Sequence, residues 1–372
     1  MAFGWRVDCG MTVSNPAAET ASRERKLPGR RLDELDGLRG LAALWVVVFH
    51  LTTGLTFWLP GQPELWSEMV PFTFNVEGLL AVHLFFIISG FVICLTVEWS
   101  RTPLDFIVSR FARLYLVFWP AVALAVAVGV LAPSPRFPVT AGDGIVNLTM
   151  LHSYLGVRSV NPSFWSLDVE LGFYGLMIVA LCTGMQRRLE ILGLAWVLVA
   201  YLLTAVLPKF GLAMPWRFSI GFALEFAGLF YSGLLFFYIW SDKFTWWRGI
   251  GIALCLVLRV SILPWRLAFI ECAIFLLFTL AIAGRLPVLR TRPLVLLGAV
   301  SYSLYVVHQP LRFRIQLWLH AAGLPSWLNF VATLGLLIAL SALLTFTVER
   351  PVGRFIRAGY ARWKRRGVAA AF

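Results

Sequence analysis

Apolar runs of about 20 residues recur along almost the whole chain, and each is long enough to cross a ~30 Å hydrocarbon core. They predict helical spans at 37–58, 77–98, 114–132, 164–184, 189–207, 217–240, 247–263, 265–284, 294–311 and 326–348. The span at 247–263 is the shortest and is interrupted by Arg259, while 143–157 is only partly apolar and reads as lying along the interface. The fold class expected is all-α: a polytopic integral membrane protein, a single bundle of about ten transmembrane helices. The first 30 residues lack a continuous apolar core, which argues against a signal peptide. Residues 1–34 read as a disordered cytoplasmic tail, 35–351 as the membrane domain and 352–372 as a basic cytoplasmic tail.

Composition agrees with this pattern. The chain of 372 residues is 59% hydrophobic and 14% charged, against roughly 25% charge in an average soluble domain. The net charge of +13 invites a nucleic-acid reading, but topology accounts for it more simply. With the N-terminus inside, 24 of the 32 Lys and Arg residues fall in cytoplasmic segments and seven in outer loops, with Arg259 inside a span. That is the positive-inside asymmetry, and it places both termini in the cytoplasm. No RNA- or DNA-binding motif appears, so no nucleic-acid partner is expected. The five cysteines have neither metal-ligand nor redox spacing, and no metal site is implied.

Ionisable side chains inside a bilayer are costly and commonly face an interior where they act. Arg39, His50, His83, Glu170, Glu225, Arg259, Glu271 and His308 all fall within predicted spans. Arg39 and His50 are eleven residues apart, ~16 Å along a helix and within about 20° of one face. The first span thus carries a guanidinium at the inner surface and an imidazole near the midplane. A snorkelling Arg and a His bonded to a carbonyl would serve equally as structural explanations. The three Glu residues, His83, Arg259 and His308 fall in the outer half, which predicts a hydrated cavity open to the outside; ion pairing of Arg259 with Glu271 or Glu225 is the structural alternative.

Ser166, Glu170 and Tyr174 share a helix face at spacings of four, with Asp168 rotated away toward solvent. Ser301, Tyr305 and His308 form a second stripe. Each stripe alone is compatible with simple inter-helix hydrogen bonding. Between the second and third spans, Arg110 and Arg113 sit three apart on the cytoplasmic side. Their planar forks suit phosphate oxygens, although ordinary positive-inside charge gives the same spacing.

Together these motifs resemble the membrane-bound acyltransferase-3 family. LDGLRGLAALWVVVFH, with ten residues between Arg39 and His50, is similar to its first-helix signature. Phe85 to Phe91 resembles FF-x-x-SGF, and Arg110 with Arg113 resembles R-x-x-R. Trp165, Ser166, Leu167, Glu170, Phe173 and Tyr174 match W-S-L-x-x-E-x-x-F-Y. Ser301 to Pro310 matches SYSLY-x-x-H-x-P, and Glu349 with Pro351 the terminal E-x-P. Many members carry Asp where this chain has His83, so no role is carried over to that position.

The resemblance implies an O-acyltransferase of the inner (cytoplasmic) membrane. It would move an acyl group, acetyl foremost, from cytoplasmic acyl-CoA to a hydroxyl of a cell-envelope or exported glycan. His50, Arg39 and Glu170 are then the catalytic candidates, Arg110 and Arg113 with Arg39 the donor-binding ones. Ser166, Tyr174, Tyr305 and His308 are the acceptor-binding candidates. Acyl-CoA enters as co-substrate, and neither a bound cofactor nor a metal is expected. His50 serves either as general base toward the acceptor hydroxyl or as transient acyl carrier. A transporter or flippase for a glycan or lipid-linked acceptor is the rival of another class. An acyltransferase acting on a lipid or a small secondary metabolite is the second enzymatic alternative. Acceptor, acyl length and oligomeric state are not readable from the residues.

Overall fold

A computed structural model describes residues 33–53, 68–73, 78–131 and 138–369; the expected N-terminal tail lies almost wholly outside them. Each predicted span coincides with a helix: α1 Asp33–Thr52, α2 Leu79–Trp99, α3 Pro103–Leu131, α4 Trp165–Cys182, α5 Leu189–Tyr201, α6 Ala227–Ser241, α7 Trp246–Val260, α8 Trp265–Ile282, α9 Arg292–Ala321 and α10 Ser326–Leu344. A further helix, α11 Arg350–Ala369, occupies the basic C-terminal segment. Among the described residues nine helical stretches are long and apolar enough to span a bilayer. The 15-residue α7 is shorter than these. The partly apolar stretch forms two short helices, Ala141–Asn147 and His152–Leu155. The protein is an all-α, multi-pass membrane protein.

Lipid tails are as apolar as leucine, so these helices associate by close packing and polar contacts rather than by burial from water. The glycines of the sequence motifs supply that closeness. A Cβ on Gly40 would lie 2.7 Å from the backbone of Leu294 and Gly298, and one on Gly298 would strike the Asp36 carbonyl. The start of α1 therefore crosses α9 backbone to backbone. Gly90 of α2 and Gly233 of α6 do the same, each facing a main-chain carbonyl of the other helix. At the start of α1, Arg290 Nε donates to Glu34 at 2.6 Å and fixes the helix entrance.

Two helices run longer than their apolar stretches. α3 begins at Pro103, so Arg110 and Arg113 lie on the helix itself rather than in a loop. α9 passes straight through Pro310, where the sequence pattern predicts an end. Proline lacks the N–H that would reach the carbonyl four residues back. Asn161 Nδ2 supplies the missing donor, 2.9 Å from the Val306 oxygen. Beyond α10, a π-helical turn at Thr345–Glu349 leads directly into α11. Such turns re-aim side chains, and this one carries Glu349 inward.

Candidate active site

The helices α1, α2, α3, α4 and α9 enclose a narrow cavity of about 90 Å³, whose polar lining includes Arg39, Arg110, Arg113, Glu170, Tyr174 and Tyr305. Arg39 lies 3.7 Å from Asp36 one turn earlier. Arg113 is paired with Glu349 and stacks 5.5 Å from the Tyr302 ring centroid. Arg110 is less committed: Nη2 reaches Ser109 at 3.2 Å, and its buried Nε has no hydrogen-bond partner among the described residues. Three guanidiniums thus meet at one cavity, and Arg110 has a donor to spare.

The polar stripe of α4 faces the same space. Glu170 accepts from Ser89 at 2.7 Å and from Tyr174 at 2.8 Å. Tyr305 donates to the Ser163 carbonyl at 3.0 Å, so Ser166 Oγ, 2.6 Å away, is the donor to the tyrosine oxygen. Tyr305 also touches His308, with ring centroids 5.8 Å apart, and Phe85 at 5.9 Å. It stands as a partition between the arginine cavity and the imidazoles.

Behind it, His50 and His308 form a pair. His50 Nδ1 lies 2.8 Å from the Val46 carbonyl, and His308 Nδ1 lies 2.7 Å from the Tyr305 carbonyl. A carbonyl only accepts, so the network assigns the proton to Nδ1 in both rings. His308 Nε2 is then a lone pair facing His50 Nδ1 at 3.4 Å. His50 is left with Nε2 as its basic atom. Arg312, 1% exposed, donates to the His50 carbonyl and, from Nε, to Gln309 at 3.0 Å. Gln316 donates to the Leu51 carbonyl at 3.0 Å. The C-terminal carbonyls of a helix need such partners, and α9 caps α1 in this way at the candidate base.

The expected single polar layer divides into separate groups. His83 Nδ1 meets Glu271 at 2.7 Å, and Arg259 Nε lies 3.6 Å from the same carboxylate. This ion cluster lies between α2, α7 and α8. Glu225 is not part of it. It sits exposed in the break before α6, and Arg259 bonds its main-chain carbonyl at 3.0 Å. Asp168 corrects the expectation of a solvated residue: it is fully buried, 3.4 Å from His152 Nε2 and bonded by Ser153. The reason is that the 141–155 segment folds over the start of α4. Burial pushes the His152 imidazole down to about 4.

A family model described as an acyltransferase domain matches residues 32–346. The chain belongs to the acyltransferase-3 family. Among curated proteins it is 29% identical to the acyltransferase MdmB of Streptomyces mycarofaciens over 45% of this chain and 43% of that one. It is 24% identical to the O-acetyltransferase OatA of Staphylococcus aureus over 88% of this chain and 58% of the relative. The exopolysaccharide production protein ExoZ of Rhizobium meliloti is 27% identical over 78% and 94%. The chain spans about half the length of MdmB and OatA. No solved structure matches significantly.

Within this acyltransferase-3 member, two side chains escaped the sequence reading. Arg312 looks like an outer-loop cation because Pro310 resembles a helix stop. The alternation in LRFRIQL has the period of a strand, so the residues there carry no signal that α9 continues. Asn161, fully buried, carries no charge and stands outside any span, so nothing in the sequence marks it as the partner of the proline.

Proposed function

We propose that this protein moves an acyl group, acetyl foremost, from cytoplasmic acyl-CoA to a hydroxyl of a cell-envelope or exported glycan. The observation that carries the reading is the His50–His308 pair set one tyrosine away from a cavity ringed by Arg39, Arg110 and Arg113. A transporter has no need of a tautomer-fixed imidazole beside a phosphate-binding set. The printed names of OatA and ExoZ point the same way, one an O-acetyltransferase and the other an exopolysaccharide production protein. The basic asymmetry of the chain supports the placement of both termini in the cytoplasm.

In this mechanism the arginines hold the donor's phosphates and the thioester arm runs toward Tyr305. His50 Nε2 takes the proton of the acceptor hydroxyl as its oxygen attacks the thioester carbonyl. The O–H and C–S bonds break, the ester C–O bond forms, and the leaving thiolate takes the proton back from His50. The Val46 carbonyl holds Nδ1–H of His50 at 2.8 Å, and His308 Nε2 faces the same nitrogen at 3.4 Å. Ser166, Tyr174 and Glu170, which line the arginine cavity, stand beside the thioester arm.

Mass spectrometry of envelope glycans tests this directly. Cells with the gene should carry ester-linked acyl groups that cells without it lack. Identical glycans from both would remove the glycan acceptor from the account.

A further inference from the structure

A second cavity, of about 250 Å³, lies beside the first and shares Arg39 and Arg113 with it. The other charged groups lining it are Asp36, Glu349, Arg350 and Arg357. Four guanidiniums therefore face two carboxylates, and both carboxylates are engaged, Asp36 near Arg39 and Glu349 by Arg113. Among the described residues no carboxylate pairs with Arg350 or Arg357. Arg350 rests 4.5 Å from the Phe346 ring centroid. The two arginines are seven residues apart, which returns them to one face of α11.

That helix is held firmly as the cavity wall. Asp105 at the start of α3 accepts from Tyr360 at 2.9 Å and from Lys364 at 2.6 Å. Gly353 brings the helix close to α3, where a Cβ would lie 3.2 Å from the Ala112 carbonyl. The π turn joins α11 to α10 without a loop. Arg350 and Arg357 are themselves exposed, but they line a cavity whose other two arginines, Arg39 and Arg113, are half-buried.

We propose that this cavity binds the phosphates at the nucleotide end of the donor, with Arg350 and Arg357 of α11 as their ligands; this rests on the acyl-CoA reading above. Size favours it. The first cavity is about 90 Å³ and the second about 250 Å³, and Arg39 and Arg113 face both, so the donor's phosphates can be held across the two. Phosphate oxygens accept bidentate, charge-assisted bonds from such forks. A donor seated here passes its arm between Arg39 and Arg113 toward Tyr305.

The test uses full-length protein in nanodiscs, with binding of CoA and of pantetheine, which lacks phosphates, measured by calorimetry. Replacing both residues, Arg350→Gln with Arg357→Gln, should weaken CoA binding roughly tenfold or more and leave pantetheine unchanged. Lys at both positions should recover part of the loss. Arg362→Gln with Arg365→Gln removes equal charge from positions of the same helix that do not line the cavity and should have little effect. An unchanged CoA affinity in the first double variant, or an equal loss in the second, overturns the proposal while the acyl-CoA reading stands. Wild-type protein that binds no CoA ends both.

Discussion

Nδ1 of His50 faces the Val46 carbonyl and the lone pair of His308, so its proton is fixed and Nε2 is the atom available for chemistry. His50→Ala should therefore lower acyl transfer by roughly 10²–10⁴-fold, the usual contribution of a general base, with folded protein still present in the membrane. Retention of more than about a tenth of the activity would take His50 out of the mechanism. The two arginines of the R-x-x-R pair are not equivalent. Arg113 is held by Glu349, whereas Arg110 keeps an unpartnered Nε toward the cavity. Arg113→Gln leaves the buried Glu349 carboxylate without its charged partner, held only by Ser303 at 3.4 Å among the described residues. The change should cost about 1–3 kcal/mol of stability, read as a lower melting temperature in detergent. Adding Glu349→Gln should recover most of it. A double variant as unstable as the single one would show that the pair does not matter to the fold.

Helices carry the site through their irregularities more than through their regular turns. α9 brings Tyr305, His308 and Arg312 to one side only because it continues past Pro310, and Asn161 makes that continuation possible. Asn161→Ala should cost about 1–3 kcal/mol by leaving the Val306 carbonyl unpaired. Hydrogen exchange of the residues following Pro310 should rise in the variant, and unchanged protection would contradict this account of the helix. The same element shows what the sequence does and does not reveal. Helix existence was legible at all ten spans, because apolar runs of bilayer length have few alternatives. Their ends were not: α3 and α9 continue into polar residues that other helices bury. The Arg39, His50 and Glu170 candidates were legible from charge in an apolar setting, and Arg110 from its spacing to Arg113. Their grouping was not, since it depends on which faces meet across helices. Asp168 shows the limit well, for its burial comes from a segment that spacing on α4 cannot see.

For the molecule as a whole, the proposed function makes one claim, that the donor enters from the cytoplasmic side, and the basic asymmetry and the three-arginine cavity support it. Cysteine introduced at Pro138 should react with an impermeant thiol reagent applied outside, and one at Gln186 should not; the reverse pattern would invert the bundle. The most direct measurement is CoA release by purified protein in nanodiscs, with acyl-CoA on the cytoplasmic face and a glycan acceptor present. Wild-type protein should release CoA. The Arg110→Gln, Arg113→Gln double variant should need roughly a hundredfold more acyl-CoA for the same rate, as expected for two lost charge-assisted contacts of about 1.5–3 kcal/mol each. Wild-type protein that releases no CoA with any glycan acceptor would contradict the account and leave the transporter reading in its place.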